Sequence, residues 1–201
     1  MGNKILNFVP KRKGRDVFMC QTLRKLQGES ARGLLEKYQV SSEPPINIDE
    51  LAEKIGITVI PKDFSDIERK VDIATGTILG ATVSHGEDVS IFFRENDTEN
   101  RRRFTIAHEI AHCCLHTENL IEYHVELRNN AIATSGREYE ANIFAGELLI
   151  PERTLRKICS MFIMPSLSSL TEIFKVSSAV MSARLDYLNI QYLKDVKVEE
   201  A

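Results

Sequence analysis

An α+β fold with a small sheet is the architecture this sequence predicts, and three observations predict it. Apolar, β-branched runs at Ile57–Ile60, Thr75–Val83 and Val89–Phe93 gather in the first half of the chain. Before and after them, apolar residues recur at helical spacing. Between the second and third runs lies Ser84-His85-Gly86-Glu87-Asp88, a set of turn formers that reads as a hairpin.

The elements follow in order. Val17, Cys20, Leu23 and Leu26, then Ala31, Leu34, Leu35 and Tyr38, predict one or two helices interrupted near Gly28. Pro44 and Pro45 make Ser41–Pro45 a loop, because a helix cannot run through two prolines. Ile48–Ile55 reads as a helix closed by Gly56 in a C-cap position. Ile57–Ile60 follows as a strand stopped by Pro61, and the charged stretch to Val71 reads as irregular. Asn96 with Glu99 three residues on has the pattern of a capping box, opening a helix that runs to about His116. Residues 117 to 136 are polar and mixed, with a short helix expected near Leu120 to Leu127. Arg137–Leu149 is predicted helical, stopped by Pro151. Glu152–Phe162, Leu167–Phe174 and Ser178–Leu188 read as three further short helices, and the charged tail from Lys194 as frayed.

Composition bounds the function. The 201 residues hold 43% hydrophobic side chains, enough for one mid-sized core without covalent staples. Net charge is −3, from 26 basic and 29 acidic residues, so direct nucleic-acid binding is not expected. No apolar run has membrane-spanning length, and Met1–Pro10 lacks the apolar stretch of a signal peptide. Cys20, Cys113, Cys114 and Cys159 are then expected as reduced thiols in a cytoplasmic protein, and no Cys-x-x-Cys spacing supports thiolate metal binding. The basic cluster Lys11, Arg12, Lys13 and Arg15 reads as a solvated face.

Residues 108 to 112 carry the chemistry: His-Glu-Ile-Ala-His. Residues four apart share a helix face, so His108 and His112 can put two imidazole nitrogens on one metal ion. Glu109, one step round, can take a proton from a water activated there, which is what a zinc hydrolase needs. The ordinary reading, two core histidines with satisfied nitrogens, coexists with this one. Burial among Phe104, Ile106, Ala107 and Ile110 favours the metal, because it gives those nitrogens a partner.

A third ligand is needed, and Glu118, Glu122, His124, Glu126, Glu138, Glu140 and Glu147 are downstream candidates. Glu138 is preferred, with Asn142 one turn on placed to hydrogen-bond a ligand from behind. Glu140 lies about 200° round the same helix, so it and Glu138 cannot both face the metal. Glu140 and His124 stay open as alternatives, since Ser135-x-x-Glu138 also reads as a capping box. His116 extends the face of His108 and His112 and is expected to be a hydrogen-bonded structural histidine. Manganese or iron would also suit a His-His-Glu site. For the oxyanion, Tyr123, His124, Tyr139 and His85 are candidates without a ranking.

Arg102-Arg-Phe-Thr-Ile-Ala-His-Glu-Ile-Ala-His-Cys-Cys-Leu-His116, followed by Glu138-Tyr-Glu-Ala-Asn-Ile-Phe-Ala-Gly-Glu-Leu-Leu-Ile-Pro151, resembles the ImmA/IrrE family of metallopeptidases. Pro45-Ile-Asn-Ile-Asp-Glu-Leu-Ala-Glu-Lys-Ile-Gly-Ile57 resembles the lead-in helix and strand, and the likeness covers roughly residues 30 to 190. The resemblance implies a zincin-like core, with a small sheet packed on the His-Glu-x-x-His helix and a helical C-terminal extension. It implies His108, His112 and Glu138 as Zn2+ ligands and Glu109 as the catalytic carboxylate. It further implies site-specific cleavage of a partner, a helix-turn-helix repressor, relieving repression in stress or mobile-element regulation. Ala111 stands where glycine is frequent, and Ile150 where methionine often precedes the proline; neither change removes a chemical group.

On this reading residues 1–44 form an N-terminal helical segment, 45–151 the peptidase core and 152–201 the extension. Leu167 to Leu185 has the apolar spacing of a helix-turn-helix, but Lys175 and Arg184 are offset by Glu172 and Asp186, so a helical cap is preferred to a DNA reader. The alternative function is a non-catalytic DNA- or protein-binding regulator, or a toxin–antitoxin component, with a structural metal.

Overall fold

The structure, a computed structural model, describes residues 19–117 and 136–194, and the strand at residues 123–127. Its elements are α1 (Gln21–Leu26), α2 (Ala31–Lys37), α3 (Ile48–Ile55), β1 (Ile57–Lys62), α4 (Ser65–Lys70), β2 (Ile78–His85), β3 (Asp88–Arg94), α5 (Glu99–Leu115), β4 (Tyr123–Leu127), α6 (Gly136–Leu149), α7 (Glu152–Cys159), α8 (Leu167–Phe174) and α9 (Ser178–Tyr187). The fold is α+β, as the sequence predicts.

The sheet has strand order β1-β3-β2-β4. β1 runs parallel to β3, whereas β2 pairs antiparallel with both β3 and β4. The β2–β3 hairpin turns through Gly86 and Glu87, with His85 opposite Asp88 and Gly86 at φ +63°. That positive φ suits a two-residue hairpin turn and is available to glycine at no steric cost.

Side-chain pattern and capping account for the helices. In α3 the buried residues Ile48, Leu51, Ala52 and Ile55 form one stripe; Asn47 caps the start and Gly56, at φ +82°, the end. The break at Gly28, φ +78°, separates α1 from α2. Ser166 and Ser177 cap α8 and α9 by accepting from backbone N–H groups of their first turns.

Several expectations are corrected. Strand β1 continues through Pro61 to Lys62, because it is a sheet edge, where a residue without an N–H is tolerated. The stretch read as irregular contains α4, and β2 starts at Ile78 rather than Thr75. Helix α5 is capped by Thr98 rather than Asn96, with no side-chain cap bond. Where a helix was expected near Leu120 to Leu127, Tyr123–Leu127 is a strand, its ladder supplied by β2. Helix α7 ends at Cys159, short of Phe162. The basic cluster at Lys11–Arg15 lies outside the described residues, as does the tail beyond Lys194.

One apolar cluster runs from Leu23 and Leu26 in α1 through Ile106, Ile110 and Cys113 in α5 to Phe174, Met181 and Leu185 in α8 and α9. The C-terminal helices therefore share a core with the central helix. Polar ties reinforce this: Arg103 Nε donates to the Lys175 carbonyl at 3.2 Å, and Arg184 Nε to the Ile150 carbonyl at 3.2 Å. Burial pulls both guanidinium pKa values down from their usual range.

The entrance to β2 is held by a buried charge. Glu68 in α4 is fully buried and accepts from the backbone N–H groups of Gly76 at 3.0 Å and Ile78 at 2.8 Å, and from Arg94 of β3. Arg94 also donates to the Ile78 carbonyl, at 3.1 Å from Nε and 2.9 Å from its second nitrogen. Removing the carboxylate leaves a guanidinium and two amides without it. Glu68→Ala is expected to cost about 3–5 kcal/mol, measured by urea unfolding; a loss under about 1 kcal/mol, the range of an exposed pair, would contradict this account.

Candidate metal centre

The site is built on α5, whose centre is immersed in protein. Arg103, Thr105, His108, Glu109, His112 and His116 are all buried in the folded chain. A buried polar group needs a partner, so each implies something packed against it.

His108, His112 and His116 follow one another at four-residue intervals and stand in a row. Neighbouring ring centroids are 4.8 Å and 5.1 Å apart. Helix α6 crosses this row. Glu138, in its first turn, brings Oε2 to 3.2 Å from His108 Nε2 and Oε1 to 3.6 Å from His112 Nε2. The two Nε2 atoms are 3.0 Å apart. One turn along α6, Asn142 Oδ1 lies 3.0 Å from His108 Nδ1. An amide oxygen only accepts, so His108 carries its hydrogen on Nδ1 and turns the lone pair of Nε2 toward His112 and Glu138.

This donor set fits a divalent cation. Two imidazole nitrogens and a carboxylate oxygen, one from each residue, lie within 4.8 Å of one another. Four ligands at 2.0–2.1 Å around a tetrahedral zinc are roughly 3.3 Å from each other, close to the separations seen here. His108, His112 and Glu138 are the residues that could hold the ion.

Glu109 sits beside the cluster on the sheet side of α5, with no exposed surface, and accepts a hydrogen bond from Thr82 Oγ1 of β2. The approach of β2 depends on Gly80. A Cβ there would lie 2.5 Å from Thr105 Cγ2, 3.3 Å from Glu109 Oε1 and 3.3 Å from the Phe92 carbonyl. The demand is for space, since Gly80 is not among the positive-φ glycines.

The remaining candidates are placed as follows. Glu140 points away from Glu138, as helix geometry requires, and its Oε2 lies 3.0 Å from His116 Nε2. Glu118 and Glu122 lie outside the described residues, as do the side chains of Tyr123, His124 and Glu126. His85 is exposed at the hairpin tip. Tyr139, 56% exposed, lines a groove of about 370 Å³ with Phe104, Asn142, Val180 and Tyr187. None of the four cysteines is in a disulfide. Burial pushes the Cys113 thiol well up and the Cys114 thiol up to about 12, so both are neutral core side chains at ordinary pH.

Two contributors escape the sequence reading. Gly80 had a usable signal, since a glycine inside a strand marks close approach of another element. Thr82 had none, because a threonine alternating within a strand is ordinary.

A sheet packed on a buried His-Glu-x-x-His helix, with a carboxylate from the following helix completing a three-donor cluster, defines a metallopeptidase-type centre. The family model described as Peptidase M78, IrrE N-terminal-like domain, matches residues 52–186, and the chain belongs to that family. It is a family of metallopeptidases, the assignment that the motifs at 102–116 and 138–151 implied. No curated protein gives a significant match to the chain.

Gly80→Ala tests the strand–helix approach. The added methyl must displace β2 or Thr105, and overpacking of this kind costs about 1–3 kcal/mol. Urea unfolding should show that loss; unchanged stability would mean the two elements have room to spare.

Proposed function

We propose that the chain is a zinc-dependent endopeptidase that cleaves a partner helix-turn-helix repressor and so relieves repression. The observation that carries the peptidase chemistry is the pairing of a fully buried glutamate with the three-donor cluster. Glu109 is adjacent in sequence to His108, is shielded from solvent, and is oriented by Thr82. In this reading His108, His112 and Glu138 hold Zn2+, and Asn142 orients His108.

Zn2+ held by His108, His112 and Glu138 would supply Lewis acidity, lowering the pKa of a water toward about 7 and polarising the scissile carbonyl. Glu109 takes the proton from the attacking water and hands it to the leaving amine as the C–N bond breaks. Thr82 restricts the Glu109 carboxylate to one orientation, which shortens the search for that geometry. The repressor substrate and its regulatory setting rest on the resemblance carried by residues 102–116 and 138–151. A soluble cytoplasmic location suits such a substrate. Among the described residues no helix is long and apolar enough to cross a membrane.

Glu109→Gln keeps the size of the side chain and removes the base. Zinc stoichiometry should stay at the wild-type value while cleavage of a candidate repressor falls by about 10²-fold or more. A variant that binds zinc and cleaves at the wild-type rate would sink the mechanism. Wild-type protein that binds zinc but cleaves nothing, and unfolds on chelation, would favour the regulator with a structural metal.

A further inference from the structure

His116 and Glu140 lie outside the three-donor cluster but are joined to it in line. Glu140 Oε2 is 3.0 Å from His116 Nε2, and His116 Nδ1 is 3.0 Å from His112 Nδ1. His112 Nε2, at the far side of its ring, faces His108 and Glu138.

The hydrogens in this line run in one direction. A carboxylate accepts and cannot donate, so the hydrogen between Glu140 and His116 is on His116 Nε2. The Nδ1 of a neutral His116 then carries only a lone pair and must accept. His112 therefore donates from Nδ1, which leaves the lone pair of its Nε2 pointing at the cluster. The reverse polarity would need a hydrogen on both ring nitrogens of His116.

We propose that Glu140 and His116 are positioning residues of the metal centre: through two hydrogen bonds they hold His112 in the tautomer that can bind the ion. The proposal rests on the metallopeptidase reading given above. It assigns to Glu140 and His116 the part that Asn142 plays for His108, so that α6 sets both ligand histidines, one directly and one through an intermediate imidazole. Helix geometry permits this, because Glu138 and Glu140, two residues apart, project from different faces of α6 and reach different rings of α5.

A purely structural His116 would not transmit a change at Glu140 to the metal. The Glu140 side chain is 61% exposed, so its replacement should leave the folded chain intact. The test is zinc affinity of the full chain by chelator competition, for wild type, Glu140→Ala, Glu140→Gln, His116→Ala and the double alanine variant. Glu140→Ala should weaken zinc binding about tenfold or more while the zinc-free protein still folds. Glu140→Gln, whose amide oxygen still accepts, should recover most of that loss. The double variant should bind no more weakly than His116→Ala, because Glu140 acts through His116. Nitrogen-15 spectra of the zinc-free wild type should show the His112 hydrogen on Nδ1.

Wild-type zinc affinity in Glu140→Ala, or a His112 hydrogen on Nε2, would overturn the proposal while leaving the peptidase reading in place. If His116→Ala fails to fold, the two Glu140 variants still decide the matter. Wild-type protein that binds no zinc would overturn both readings.

Discussion

Helix α5 sets a constraint that the surrounding structure answers: it is buried almost all round, and much of what it buries is polar. Arg103, Thr105, His108, Glu109, His112 and His116 all lose their water on folding. A buried polar group left without a partner costs about 1–3 kcal/mol, and a charged one more. Six such groups in fourteen residues would make the fold untenable unless neighbours supplied hydrogen bonds. Strand β2 supplies Thr82, α6 supplies Glu138, Glu140 and Asn142, and the α8–α9 turn supplies the Lys175 carbonyl. Packing and site construction are therefore the same event in this protein.

That constraint also explains the two close approaches. Glycine at position 80 lets β2 come near enough for the Thr82 hydroxyl to reach Glu109. On the opposite side, α6 grips α5 at successive turns through its first polar residues. The C-terminal helices bind both partners, with Arg184 donating to the Ile150 carbonyl at the end of α6 and Arg103 of α5 donating to the Lys175 carbonyl between α8 and α9. A helical segment whose spacing resembles a DNA-reading motif is thus tied to the two helices that carry the site.

Electrostatics reinforces a division of labour on α5. Its histidines and Glu109 face protein partners that accept, donate or converge on them. Cys113 and Cys114 are held neutral among apolar neighbours, where desolvation raises their thiols. One helix thereby presents a polar, hydrogen-bonded face and an apolar one, separated only by the turn of its backbone.

Local chemistry was legible in the sequence, and relations between distant segments were not. The spacing of His108, Glu109 and His112 on one helix follows from a period of 3.6 residues, which needs no knowledge of the rest of the fold. The same holds for the Gly56 cap, the hairpin at Gly86 and the mutual exclusion of Glu138 and Glu140. Tertiary structure decided which of those glutamates meets His108 and His112, because that depends on how α6 is rotated as it packs on α5. It decided that Tyr123–Leu127 is a strand, since its hydrogen bonds come from β2, some forty residues earlier in the chain. It also decided that Thr82 serves Glu109 and that Glu140 reaches His112 through His116. Such pairings are set by distances between elements, and side-chain periodicity along the chain carries no record of them.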